Sequence, residues 1–124
     1  MNKLIIDVAN EKIFLMIITN VNIYNITHEN TKINYEKLTI IINDFLSSKN
    51  LKIGDINAIY INNGTRSFAG TRNLMSVVKA FNVAKNIDYY CYNLDDFKDE
   101  NDFNYENIPN LCKKYKIKKN LINL

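Results

Sequence analysis

The run from Ile56 to Asn86 constrains this chain more than any other part of it. Ile56-Asn-Ala-Ile-Tyr-Ile61 has the length and composition of a strand. It leads through the loop Gly64-Thr-Arg-Ser-Phe-Ala-Gly70, bounded by glycines, into a helical pattern. Leu74, Val77, Val78 and Phe81 recur at i, i+3, i+4 and i+7, with Ala84 on the same face, which predicts a helix from Gly70 or Thr71 to about Asn86. Asp88-Tyr-Tyr-Cys-Tyr-Asn93 then reads as another strand. Strand, helix and strand in succession commit the chain to an α/β arrangement.

Upstream, Leu38, Ile41, Ile42, Phe45 and Leu46 carry the same helical spacing and predict a first helix over Tyr35 to Lys49. Ile40 lies off that stripe, so this helix has a second apolar edge, free for another element or a partner. Leu51-Lys-Ile-Gly54-Asp55 closes the turn that follows. The N-terminal third has a different period. Leu4 to Val8 and Ile13 to Thr19 are apolar runs joined by the polar turn Ala9-Asn10-Glu11, and Val21 to Thr27 alternates near period two. These three runs read as an antiparallel meander, followed by a polar stretch from His28 to Asn34. The order βββαβαβ fits a mixed five-stranded sheet covered by helices, as in ribonuclease H-like and actin-like domains.

With 124 residues, 47% of them hydrophobic, the chain can fill one core but not two. The expected organisation is a body over residues 1–97 and a charged tail over 98–124. Asp95 to Glu106 is acidic and Lys113 to Lys119 basic, a pattern expected to be solvated and weakly ordered. Leu121 to Leu124 could return as an edge strand. Asp7 interrupts the N-terminal apolar run before it reaches signal-peptide length, and no run approaches the ~20 residues that span a bilayer. The expectation is a soluble, cytoplasmic protein whose Cys91 and Cys112 are ordinary reduced thiols. The net charge of +3 invites a nucleic-acid reading, but lysine-rich, arginine-poor composition is read here as a solvated surface.

Three places could carry chemistry. Asp7 ends the first strand, where a metal-directing carboxylate could sit, but no glycine follows it and no carboxylate cluster accompanies it. His28 is the only histidine and lies in a polar stretch without a nucleophile in a recognisable frame. The loop Gly64 to Arg72 enters a helix after a strand, as an anion cradle would, yet Arg66 stands where a small residue would be wanted. A tight turn presenting Phe68 and Arg72 is the favoured reading, with a nucleotide cradle as the alternative.

At this loop the chain resembles the TsaB (YeaZ) family, a partner subunit in bacterial tRNA threonylcarbamoyladenosine modification. The family pattern Gly-Pro-Gly-Ser-Phe-Thr-Gly-Leu-Arg is matched by Gly64, Ser67, Phe68, Gly70 and Arg72, and the helix after it contains Lys79. The opening Leu4-Ile-Ile-Asp7 and the stretch Leu51 to Ile59 are also similar, and the likeness runs over about residues 1–97. Thr65 and Arg66 replace Pro-Gly, Asn34 stands near the family's helix-one histidine, and the chain reads as a version reduced to the N-terminal domain. The resemblance implies an actin-like (ASKHA) half-domain without catalytic, cofactor or metal residues of its own. It implies binding to a TsaD-like catalytic subunit, with a TsaE-like ATPase as third member and tRNA engaged indirectly; the apolar runs predict no membrane, and the exposed apolar edges of the two helices predict a homodimer when the partner is absent. The expected interface comprises Ile40, Phe68, Arg72, Met75 and Lys79, with Ile40 and Met75 off the core stripes. Two alternatives stand beside it: a homodimeric interaction module serving another partner, and a small nucleotide-dependent enzyme using Asp7 and Arg72.

Overall fold

The computed structural model describes residues 1–64, 69–101 and 103–121. Five strands form one mixed sheet: β1 (Lys3–Asp7), β2 (Lys12–Ile18), β3 (Ile23–Glu29), β4 (Ala58–Asn62) and β5 (Asp88–Tyr92). Their spatial order is β3-β2-β1-β4-β5, with β1 antiparallel to β2 and parallel to β4, and β4 parallel to β5. The helices are α1 (Lys32–Tyr35), α2 (Leu38–Ser48), α3 (Ala69–Lys85) and α4 (Ile108–Lys114).

Side chains alternate across each strand, so the sheet has two cores. Leu4 and Ile6 of β1, Ile13, Leu15 and Ile17 of β2, and Ile59 and Ile61 of β4 face α2 and α3. There they meet Leu38, Ile42, Phe45, Leu46, Leu74 and Val78. Ile5, Met16, Ala58, Tyr60 and Tyr92 face the other way and are covered by Phe97 and by Ile108, Leu111 and Cys112 of α4.

The expected first helix is two helices. Thr31 caps α1 by accepting from the Asn34 N–H, and Lys37, with φ −106° and ψ 20°, breaks the run before Leu38. The break leaves Tyr35 beside the start of α3, where a Cβ on Gly70 would lie 3.4 Å from its ring. The third strand begins two residues later than expected and takes in His28.

The segment 98–124 departs most from expectation. Beyond Tyr105–Asn107, a 3-10 turn, Pro109 stands in the first turn of α4, a helix that buries Ile108, Pro109, Leu111 and Cys112. Ile108, Leu111, Cys112 and Tyr115 are at i, i+3, i+4 and i+7, a short apolar stripe obscured by the acidic and basic blocks around it. Lys119 bridges Tyr90 on the outer edge of β5, and the backbone N–H of Asn120 donates to Tyr89 O at 2.7 Å. The Asn120 side chain accepts from the Tyr89 N–H and donates to Asp88. This chain-to-edge contact precedes the Leu121–Leu124 run proposed for that role, of which residues 122–124 lie outside the described residues.

Met75 is a second correction. It is 9% exposed and belongs to the α2–α3 core, because Leu74 and Val78 turn the same side of α3 onto the sheet.

Two outcomes follow. Removing residues 98–124 uncovers the second sheet face, so the truncated chain should lose cooperative thermal unfolding and bind a hydrophobic dye; an unchanged melting curve would contradict the packing. Leu111→Ala should cost about 2–4 kcal/mol in denaturant unfolding.

Candidate functional site

The carboxyl ends of β1 and β4 meet the start of α3, and one side chain organises the junction. Asp7 ends β1 and is buried, at 2% exposure. A buried carboxylate needs donors, and this one has three. Oδ1 accepts from the Ala9 N–H at 2.8 Å, and Oδ2 accepts from Asn62 Nδ2 at 3.3 Å and from the Tyr105 hydroxyl at 2.9 Å. Asn62 spans the gap onward, its Oδ1 accepting from the Gly64 N–H at 2.9 Å.

Tyr105 comes from the C-terminal segment, 98 residues away in sequence. Its ring stacks on Phe14 with centroids 4.0 Å apart, and Phe103 meets it edge-on. Burial first, and then the neighbouring Asp7, push its phenol above the ordinary range, so the hydroxyl stays a donor. Tyr60 and Tyr92 on the same sheet face are also raised, mainly by burial, Tyr60 to about 12.

Gly64 has φ +50°, and a Cβ there would stand 2.7 Å from Ala9 Cβ. The glycine is required by both the left-handed backbone and the approach of the β1–β2 turn. Beside it lies a cleft of about 770 Å³, lined by Val8, Asn10, Lys12, Asn30, Tyr35 and Gly70 among others. Asn30 braces its wall by donating to Val8 O at 2.8 Å and Asn10 O at 2.7 Å. Thr71 Oγ1 and Asn63 Oδ1, both buried around this junction in sequence, have no hydrogen-bond partner among the described residues.

The expected site residues divide. Gly64, Gly70 and Arg72 frame the β4–α3 connection, while Ser67 and Phe68 lie outside the described residues, with Thr65 and Arg66. Arg72 and Lys79 are exposed seven residues apart, on one strip of α3 with Ser76, whose hydroxyl donates to Arg72 O. Met75 leaves the group for the core. Ile40, on α2, is 58% exposed. α2 and α3 run side by side with a shallow groove of about 250 Å³ between them, lined by residues including Leu38, Thr39, Asn73 and Ser76. His28 sits on the edge strand β3 opposite Ile13. Among the described residues, no group of three His, Cys, Asp or Glu side chains could hold a metal ion, and no helix is long and apolar enough to cross a membrane.

Asn62 and Tyr105 were not singled out from sequence. Asn62 ends a strand as many asparagines do, and Tyr105 lies in an acidic block with nothing local to connect it to Asp7.

No protein-family model and no curated protein sequence matches the chain. Solved structures do. YeaZ from Pseudomonas aeruginosa superposes with a TM-score of 0.66 at 16% identity, over 74% of this chain and 43% of that one. A structure described as an uncharacterized protein with similarity to peptidase YeaZ from Pseudomonas aeruginosa gives a TM-score of 0.67, with the same identity and coverage. At this identity the likeness is one of fold, and the fold is YeaZ-like. The chain spans less than half the length of these two structures.

Two outcomes test the junction and a third the sheet face beside it. Tyr105→Phe should cost about 1.5–3 kcal/mol, the range for a hydrogen bond to a charged group, measured by denaturant unfolding. Gly64→Ala should cost about 1–3 kcal/mol through backbone strain, with the Ala9 contact adding to it. The third is alkaline. A phenol raised in the folded state from its ordinary 10.0 to about 12 contributes stability below pH 10 that is lost as pH rises through about 12. The melting temperature should therefore fall over that window, and less steeply in Tyr60→Phe.

Proposed function

We propose that the chain is a non-catalytic partner subunit of the tRNA threonylcarbamoyladenosine-modifying machinery, an actin-like, ribonuclease H-like half-domain that binds and supports a TsaD-like catalytic subunit. One coincidence carries this reading. The residues Gly64, Gly70 and Arg72, picked out by the family pattern, fall at the β4–α3 junction of a chain whose fold is YeaZ-like. The sheet order, with α1 to α3 on one face and α4 on the other, is compatible with the ribonuclease H-like assignment.

A non-catalytic role is supported by Asp7. In the nucleotide-dependent alternative this carboxylate would meet a ligand or a metal, whereas its oxygens are taken by Ala9, Asn62 and Tyr105 of the same chain. Partner binding is supported by the outer surface of α1 and α2, where Ile33 and Ile40 are 66% and 58% exposed. Arg72 and Lys79 supply charge on the neighbouring α3. The same surface favours a twofold homodimer when the partner is absent, and a homodimer serving another partner is the second reading. A cytoplasmic setting and a TsaE-like third member belong to the proposal.

The deciding experiment is reconstitution of tRNA modification from a TsaD-like protein with and without this chain, beside co-purification of the two. Stimulation with stable co-purification is expected; neither would overturn the proposal. Ile40→Glu should weaken assembly at least tenfold in analytical ultracentrifugation while leaving the melting temperature unchanged, because a charge at a central interface position is costly and Ile40 contributes little to the core. Met75→Glu should instead unfold the chain.

A further inference from the structure

A second recess lies on the opposite face from α2 and α3, between the sheet and α4. It has a volume of about 510 Å³, within the range of small-molecule sites, and its lining includes Lys3, Tyr60, Tyr90, Asn110, Lys113 and Lys116. The strand alternation that points Ile5 toward α4 sends Lys3 to the same side, and the last turn of α4 and the turn after it bring Lys113 and Lys116 to the same recess.

The charges lining the recess are of one sign. Lys12, Lys32, Lys114 and Lys119 are matched by Glu29, Glu36, Glu100 and Asp88. Lys3, Lys113 and Lys116, like Lys37 and Lys85 elsewhere, have no ion-pair partner among the described residues, but these three share one recess that no acid lines. Three ammonium groups around one hollow repel one another, and a bound anion would relieve that repulsion.

The recess also holds a phenol donor. Tyr60 is 7% exposed, stacks on Tyr90 with ring centroids 5.0 Å apart, and has no hydrogen-bond partner among the described residues. Its phenol keeps its proton at neutral pH, since burial pushes it up to about 12. Its hydroxyl is open to the recess and can donate to an oxygen-rich anion there. The Asn110 amide adds further donors.

We propose that this recess is an oligophosphate site, receiving either the phosphates of an RNA backbone or those of a free nucleoside triphosphate. Lysines suit the role as mobile point charges that follow successive phosphates without demanding one geometry. The site is separate from the Asp7 junction, and the inference does not rest on the partner-subunit reading.

The test uses the full chain with two probes, a short fluorescent single-stranded RNA and sodium tripolyphosphate, titrated by anisotropy and calorimetry over a range of salt. Binding should weaken with salt with a log–log slope of about −2 for RNA, the value for three phosphate contacts to a single strand. Lys3→Gln, Lys113→Gln and Lys116→Gln combined should lower affinity at least tenfold and flatten that slope. The equally neutralising set Lys32→Gln, Lys37→Gln and Lys85→Gln should change it less than twofold. Tyr60→Phe should lose about threefold, the loss of one hydrogen bond. If the first set fails to fold, the single variants at exposed Lys113 and Lys116 give the same readout in part.

Competition between the two probes supports a site for phosphates of either source; binding of RNA alone assigns it to a backbone, and of tripolyphosphate alone to a free nucleotide. Binding of neither probe at low salt, or equal loss in the control set, overturns the proposal.

Discussion

Strand β1 is buried on both faces, and the architecture depends on that. Leu4, Ile5 and Ile6 are each 0% exposed, with Leu4 and Ile6 on one side and Ile5 on the other. A strand flanked by hydrogen-bonded neighbours and apolar on both sides is stable only when two layers cover it. α2 and α3 form one layer. The other has to come from the C-terminal segment, which explains why a stretch of strongly charged sequence nonetheless folds back over Ile5, Tyr60 and Tyr92. Charge on the outer surface of α4 is no obstacle, because the residues it buries, Ile108, Pro109, Leu111 and Cys112, are all uncharged.

The same folding-back changes the chemistry at the end of β1. In an open sheet of parallel strands, the carboxyl ends of the strands are where ligands gather. Here Asp7 stands at that position, but the C-terminal segment brings Tyr105 onto its carboxylate while Asn62 ties it to the β4–α3 connection. The aspartate has become a structural node: β1, β4 and the segment before α4 all depend on one buried carboxylate with three donors. Such a node ties the end of β1 to Gly64 through Asn62 and to the C-terminal segment through Tyr105.

Charge is partitioned as well. Most lysines with an acidic neighbour are on the rim, in exposed pairs that contribute little to stability. Three of the unmatched ones, Lys3, Lys113 and Lys116, share the recess beside α4, which no acid lines. A modest net charge thus conceals a local concentration, and composition alone, which reads the lysines as a diffuse solvated surface, averages it away.

Much of the fold was legible in the sequence, because periodicity reports which face of an element is buried. The five strands, the stripe Leu38-Ile42-Phe45-Leu46 and the helix after Gly70 all follow from local spacing. So does the glycine at position 64, where no other residue tolerates the backbone so readily. What local spacing could not supply was anything set by contacts distant in sequence. Met75 looked peripheral to the helical stripe, yet its burial depends on how α3 is rotated against the sheet. The α4 stripe was too short to stand out between charged blocks, and its burial answers a demand made by Ile5 and Tyr60 far upstream. Tyr105 on Asp7 and the meeting of Lys3 with Lys113 and Lys116 are of the same kind. The sequence by itself determined the elements and their apolar faces, since these depend on neighbours within a turn or two of the backbone. Only the tertiary structure decided which charges and hydroxyls share a site, because that depends on where the chain's two ends are brought together across one sheet.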